Sequence, residues 1–115
     1  MTVKLKTVEE AETYTTIALA GSLDMAGAWE IERDLIDYIS GAMCHLLIDM
    51  SAVDLLGSMG IRVLVRSASS LQRERKKLVL FAAQPMVEKT LNVTGFNSAI
   101  PVVPTLNDAK TAIGA

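Results

Sequence analysis

At 115 residues, half of them apolar or aromatic, the chain is long enough to bury a genuine core and reads as one domain over residues 1–115. Eleven basic side chains against thirteen acidic ones leave a net charge of -2, and Tyr14, Trp29, Tyr38, Phe81 and Phe96 are not interleaved with Lys or Arg as base-stacking platforms would be, which excludes nucleic acid as the expected partner. The lone Cys44 cannot close an intrachain disulfide, the opening TVKLKTVEE lacks a signal-peptide pattern, and no apolar run approaches the roughly 18 residues that span a bilayer, so a cytoplasmic protein without direct membrane insertion is expected.

Val3 and Leu5 alternate with Thr2, Lys4 and Lys6, the period of a strand with one wet face, and the acidic stretch Glu9, Glu10 and Glu12 is expected to turn the chain. YTTIALAGSL, from Tyr14 to Leu23, is rich in β-branched and small apolar residues. Its short separation from the first strand predicts an antiparallel hairpin, with Gly21 marking a bulge near the end. Ala28, Ile31, Leu35 and Ile39 recur at helical spacing, with Glu32, Arg33 and Asp37 elsewhere around the cylinder and Gly41 as the expected terminator. Leu46, Leu47 and Ile48 form the continuous apolar run of a central strand, which Asp49 and Ser51 are expected to end. After a connector, Ile61, Leu64, Ala68 and Leu71 define one face of a second helix that finishes in the charged cluster Arg73 to Lys77. LVLFAA from Leu78 reads as another short buried strand. Gln84 and Pro85 open a third helix, with proline at its tolerated first position, and Gly95 closes it after Leu91. Ile100 to Val103 gives a last strand. Thr105, with Asp108 three residues on, has a variant of the capping-box spacing and leads into a short C-terminal helix through Ala109 and Ile113.

The resulting order, β, β, α, β, α, β, α, β, α, is an alternating α/β chain after its opening hairpin, and such chains build largely parallel sheets. Parallel strands place their C-terminal ends on one edge, where ligands and partners engage. That edge is expected to collect Asp24, the connector from Ser51 to Ser58, and Gln84.

Ser58 is the residue on which function turns. A hydroxyl at a helix start sits beside converging N–H groups and the positive end of the helix dipole, well placed to carry or contact an anion. A hydrolase reading fails on its partners. Leu56 stands two residues before Ser58 where a nucleophile elbow needs glycine, and the single histidine, His45, begins the strand whose far end feeds Ser58, so about five residues at ~3.3 Å each separate it from that edge. Gly57 and Gly60 give only G-x-x-G with no Walker lysine, and Asp49 and Asp54 lack the His or Cys neighbours of a metal site. What remains is a serine that receives a phosphate from another protein. Such a group adds one to two negative charges and can make or break an interface by charge alone. Arg62, Arg66 and Arg73 recur on one side of the second helix, Arg62 one turn beyond Ser58, where they could meet an acidic partner or pair with the phosphate. The competing reading makes Ser58 an ordinary N-cap and the arginines a solvated face.

From Ile17 to Ile113 the chain resembles the STAS domain of bacterial anti-sigma factor antagonists. Three stretches carry the likeness. Gly21, Ser22, Leu23 and Asp24 match a Gly-x-Leu-Asp turn after the second strand. Leu47 to Met50, Ser51, Val53, Leu55, Leu56, Ser58 and Gly60 match an apolar strand closing in Asp-x-Ser, followed by a valine, two apolar residues and Asp-Ser-Ser/Thr-Gly. Leu78 to Ala83, Pro85 to Val87, Gly95 and Phe96 match a later strand, a Pro-Xaa-Val helix and a terminal Gly-Phe/Leu pair. The resemblance implies a mixed, mostly parallel sheet with a βα superhelix and an N-terminal antiparallel hairpin. It also implies a regulatory cycle without intrinsic catalysis. The unphosphorylated antagonist binds a serine kinase that doubles as anti-sigma factor, phosphorylation of the loop serine ends that binding, and a phosphatase restores it. Carried over by position, Ser58 is the phosphoacceptor, Asp24 supports the kinase interface from the adjacent loop, and Gly57, Met59, Gly60 and Arg62 complete the partner-binding edge. No cofactor is implied for this chain, since ATP belongs to the kinase.

Two positions depart from the pattern: Gly57 stands where an aspartate usually precedes the acceptor, and Met59 where Ser or Thr usually follows it. The alternative keeps the fold but makes the domain a constitutive scaffold, in a signalling complex or as a subunit of a lipid-transport ATPase complex, with Ser58 only a cap. Cys44 is expected to be a packed small residue rather than a redox sensor.

Overall fold

Five strands and four helices follow one another in the computed structural model, which describes residues 3–39, 44–95 and 100–114. They are β1 (Val3–Glu10), β2 (Tyr14–Leu23), α1 (Met25–Ile39), β3 (His45–Leu56), α2 (Ser58–Arg73), β4 (Leu78–Phe81), α3 (Pro85–Val93), β5 (Val102–Val103) and α4 (Leu106–Ala112). The sheet order is β1-β2-β3-β4-β5, with β1 antiparallel to β2 and every other pair parallel. This is the α/β architecture with an N-terminal hairpin that the element order predicts.

Alternation along the central strands sorts the core into two layers. Leu46, Ile48, Leu78 and Leu80 point to the face covered by Ile31 and Leu35 of α1, Val63 and Leu64 of α2, and Val87 and Leu91 of α3. Leu47, Val79 and Phe81 point to the other face, where Tyr14 and Ala109 of α4 meet them. The four apolar positions expected on α1 are all buried. On α2, Leu64 and Leu71 are buried with Gly60, Val63 and Ser67, while Ile61 and Ala68 are half-buried at the margin. Ser67 keeps its hydroxyl satisfied there by donating to the Val63 carbonyl at 2.8 Å.

The structure corrects four expectations. Glu9 and Glu10 belong to β1, because they pair with Thr16 and Thr15 of β2, and the turn falls on the three residues that follow. Asp49 and Ser51 do not end β3. Beyond Asp49 the strand has left β4 but continues along β2 to the Leu23–Leu56 pair, with two register shifts, and the Asp49 carboxylate accepts the Ser51 N–H at 2.9 Å. The fourth strand stops at Phe81, two residues early, where Ala82 takes a φ of 60°. The last strand is only Val102 and Val103.

Other local signals are met. Gly21 has a φ of 111° and sits at a register shift of the β2–β3 ladder. Pro85 opens α3, and Gly95 takes a φ of 74° just past its C-cap Thr94. Thr105 Oγ1 accepts the Asp108 N–H at 3.1 Å as the cap of α4. Gly41 and Phe96 lie outside the described residues.

Candidate functional site

Parallel strands β2 and β3 end side by side, and their ends build the site. Leu23 pairs with Leu56, and the N–H of Gly57 donates to the Leu23 carbonyl at 2.9 Å. Gly57 then leaves the sheet as the N-cap of α2, with no side-chain cap, and its carbonyl accepts the Ile61 N–H at 3.0 Å. Ser58 is therefore the first residue inside the helix and not the N-cap of the competing reading. Its side chain is exposed, and no acidic residue occupies the first turn to offset the positive end of the helix dipole.

Across from it, Asp24 is the N-cap of α1. Its Oδ1 accepts the Gly27 N–H at 2.8 Å and its carbonyl accepts the Ala28 N–H at 2.8 Å. A start signal was present in the sequence, an aspartate directly ahead of an apolar-periodic helix, but capping was not among the roles expected of Asp24. The two helix starts touch: a Cβ added to Gly57 would stand 3.3 Å from the Leu23 carbonyl oxygen and 3.7 Å from the Asp24 Cα. Asp24, Gly57 and Ser58 thus share one edge.

The remaining site residues fall around this contact. Gly60 is buried, and a Cβ there would lie 2.9 Å from both Leu23 Cβ and Leu23 O and 3.0 Å from Leu56 Cδ1. Its contribution is close approach of α2 to the strand ends, not a contact surface. Met59 is half-buried against the core, whereas Arg62 is exposed. Arg66 is drawn to α1 by an ion pair with Glu32 at 3.2 Å, leaving the arginine row divided between two tasks. Gln84, at the start of α3, donates from Nε2 to the Ser51 carbonyl at 2.8 Å, and Ser22 Oγ donates to Asp54 Oδ1 at 2.7 Å. The first ties the start of α3 to the middle of β3 and the second ties β2 to β3 near their ends, and neither was legible locally.

The chemistry available is narrow. His45 stands at the opposite end of β3, where its Nδ1 accepts the Lys77 N–H at 2.9 Å. Burial, then the nearby Lys76 and Lys77 charges, hold its pKa below the ordinary 6.5. It is thus no base for Ser58. Among the described residues no group of three or more His, Cys, Asp or Glu side chains could hold a metal ion, and no helix is long and apolar enough to cross a membrane. A hollow of about 670 Å³ is lined by Lys4, Lys6, Ala18, Asp34, Asp49 and Ser51 among others, but not by Asp24, Gly57 or Ser58. Ser58 and Arg62 are both exposed at the start of α2, where a macromolecular partner can reach them.

Comparison with known proteins agrees with this geometry. The crystal structure of an anti-sigma factor antagonist from Mycobacterium paratuberculosis superposes with a TM-score of 0.85 and 28% identity, covering 97% of this chain and 96% of that one. The anti-sigma-F factor antagonist RsfB of Mycobacterium tuberculosis is 24% identical over 107 residues, 93% of this chain and 87% of the relative. The anti-sigma-B factor antagonist of Listeria monocytogenes is 26% identical over 102 residues, 89% of this chain and 90% of the relative. The family model described as the STAS domain matches residues 5–109, and the chain belongs to the STAS domain family.

Proposed function

We propose that this protein is an anti-sigma factor antagonist that binds an anti-sigma factor serine kinase through the edge formed by Asp24, Gly57, Ser58, Met59 and Arg62, and that phosphorylation of Ser58 switches the binding off. The observation that carries the reading is the placement of Ser58. It is an exposed hydroxyl on the first residue of α2, beside the Asp24 cap and remote from any histidine, so it can accept a group but is not equipped to act as a nucleophile on its own. The names of the relatives support an anti-sigma factor as the partner, and the kinase activity of that partner is part of the proposal.

The kinase brings ATP. Ser58 Oγ attacks the γ-phosphorus, its proton passes to a base of the kinase, and the bond to the ADP oxygen breaks, leaving a phosphoserine on this chain and ADP on the kinase. The product carries between one and two extra negative charges at neutral pH. At the positive end of α2 the phosphate is tolerated by the fold, since an anion there is favoured by about 0.3–1 kcal/mol. At the partner's surface the same charge meets groups chosen to face a neutral hydroxyl and Asp24, and the complex separates. A phosphatase then restores the binding form.

Phosphopeptide mapping after incubation in lysate of the native host with Mg-ATP tests the reading, with Ser58→Ala as control. Phosphate on Ser58 of the wild type and none on the variant is expected. An unlabelled Ser58, in a lysate whose other phosphoproteins are labelled, would instead make the domain a constitutive binding module.

A further inference from the structure

Ser58 opens α2 with an exposed side chain, and Arg62, also exposed, stands four residues on. Residues at that spacing share one face of a helix, with Cβ atoms about 5–6 Å apart. Every Cα–Cβ bond of a helix also tilts toward its N-terminus, so the Arg62 side chain leans back toward Ser58. The three arginines of α2 are therefore not equivalent partners for a charge placed on that serine. At about 1.5 Å of rise per residue, Arg62, Arg66 and Arg73 stand roughly 6, 12 and 22 Å from it along the axis. Salt screens exposed charges over about 8 Å at physiological ionic strength, which leaves Arg62 as the one of the three within range. Arg66 is in addition engaged with Glu32 at 3.2 Å, whereas the Arg62 guanidinium has no ion-pair partner among the described residues.

Two acids near the ends of β2 and β3 already serve the fold. Asp24 accepts the Gly27 N–H at 2.8 Å, and Asp54 accepts the Ser22 hydroxyl at 2.7 Å. A phosphate on Ser58 adds one to two negative charges beside those carboxylates, with Arg62 the cation one turn away. We infer that Arg62 is the built-in counter-ion of phosphorylated Ser58, its guanidinium folding back along α2 to pair with the phosphate oxygens. The inference rests on the function proposed above and concerns the modified state alone. A guanidinium meets a phosphate with two parallel N–H donors, a fit that the point charge of lysine reproduces only in part. The unmodified hydroxyl carries no charge, so the pair forms only after phosphoryl transfer. One modification thereby takes a free cation off this surface as it adds an anion.

The test uses the full chain with phosphoserine incorporated at position 58 during translation, so that no host kinase is needed. The second ionisation of the phosphate is followed by phosphorus NMR across neutral and mildly acidic pH in wild type, Arg62→Gln, Arg62→Lys and Arg66→Gln. Both substituted side chains are exposed, so melts of the variants are expected to stay near wild type. A cation against the phosphate favours its dianion, while Asp24 and Asp54 oppose it in every variant and cancel in the comparison. The pair predicts an ionisation constant about threefold or more larger in wild type than in Arg62→Gln, about half a pH unit. Arg62→Lys should keep part of that difference, and Arg66→Gln should match wild type. An Arg62→Gln value equal to wild type would overturn the inference, and so would an equal effect of Arg66→Gln, since the phosphate would then answer to the general field of the helix. Either result leaves the proposed function standing if the lysate experiment labels Ser58. An unlabelled Ser58 in that experiment would remove the proposed function, and with it the inference, whatever the titration shows.

Discussion

The Asp24 carboxylate accepts the backbone N–H of Gly27 at 2.8 Å, so the acidic residue beside Ser58 is also the cap that starts α1. One side chain therefore serves the fold and the surface, and the two roles can be separated. Asp24→Ala removes both and is expected to lower stability by about 1 kcal/mol. Asp24→Asn keeps an acceptor for the Gly27 N–H while removing the charge, and its urea midpoint should stay near wild type. If the carboxylate meets the partner, Asp24→Asn alone will weaken kinase binding without a change in that midpoint.

The first turn of α2 is held against the strand ends by the absence of a side chain at Gly60. Gly60→Ala gains about 1 kcal/mol of helix propensity but places a Cβ 2.9 Å from the Leu23 carbonyl oxygen, a backbone atom that cannot swing aside. Overpacking of that kind costs about 1–3 kcal/mol, so a net loss in denaturant titration is expected, with α2 and Ser58 displaced. Gly57→Asp, which restores the usual family residue, meets its nearest atom at 3.3 Å and has an ordinary extended φ of -92°. An aspartate N-cap is at least as good as glycine, but the Cβ crowds the Leu23 carbonyl, a backbone atom, so a small net loss of about 1 kcal/mol is expected in denaturant titration.

His45 makes stability depend on pH. Its folded pKa lies below 6.5, first because burial disfavours the cation and then because Lys76 and Lys77 repel it. Between the folded pKa and 6.5 the unfolded chain binds the extra proton, so stability rises with pH across that window. The contribution is present in full above 6.5 and is lost as pH falls through the folded value. Protonation would also break the Lys77 N–H to Nδ1 hydrogen bond. Urea midpoints measured from pH 7.5 down to 5 should fall for wild type, and the part of that fall due to His45 should vanish in His45→Asn.

Thr16 is 1% exposed, and among the described residues its Oγ1 has no hydrogen-bond partner. A valine of the same shape carries no such group. Thr16→Val is expected to stabilise the protein by about 1 kcal/mol, read as a higher urea midpoint with an unchanged slope.

The helices were legible in the sequence because their buried faces obey the 3.6-residue period. Ala28, Ile31, Leu35 and Ile39 line α1 as written, and Thr105 announces the cap that it makes to Asp108. The strands were less so where tertiary pairing overrides local character. Glu9 and Glu10 look like turn residues, yet pairing with Thr16 and Thr15 keeps them in β1, where both side chains are exposed and Glu9 Oε1 accepts the Tyr14 hydroxyl at 3.3 Å. Ser51 and Asp54 interrupt the apolar run of β3, yet the strand continues because β2 still offers it partners through two register shifts. At the candidate site, Ser58 at a helix start was readable from Gly57 to Gly60. Its closeness to Asp24 depends on the Leu23–Leu56 pair, two residues 33 positions apart in the chain, and no local pattern encodes that register.

The measurement closest to the central claim is the affinity of the anti-sigma factor kinase for this protein before and after stoichiometric phosphorylation of Ser58, with Ser58→Ala as the uncharged reference. The account predicts that wild type and Ser58→Ala bind alike and that the phosphorylated form binds at least roughly a hundredfold more weakly, about 2.7 kcal/mol, while remaining folded. Equal affinity of the phosphorylated and unphosphorylated forms would contradict it.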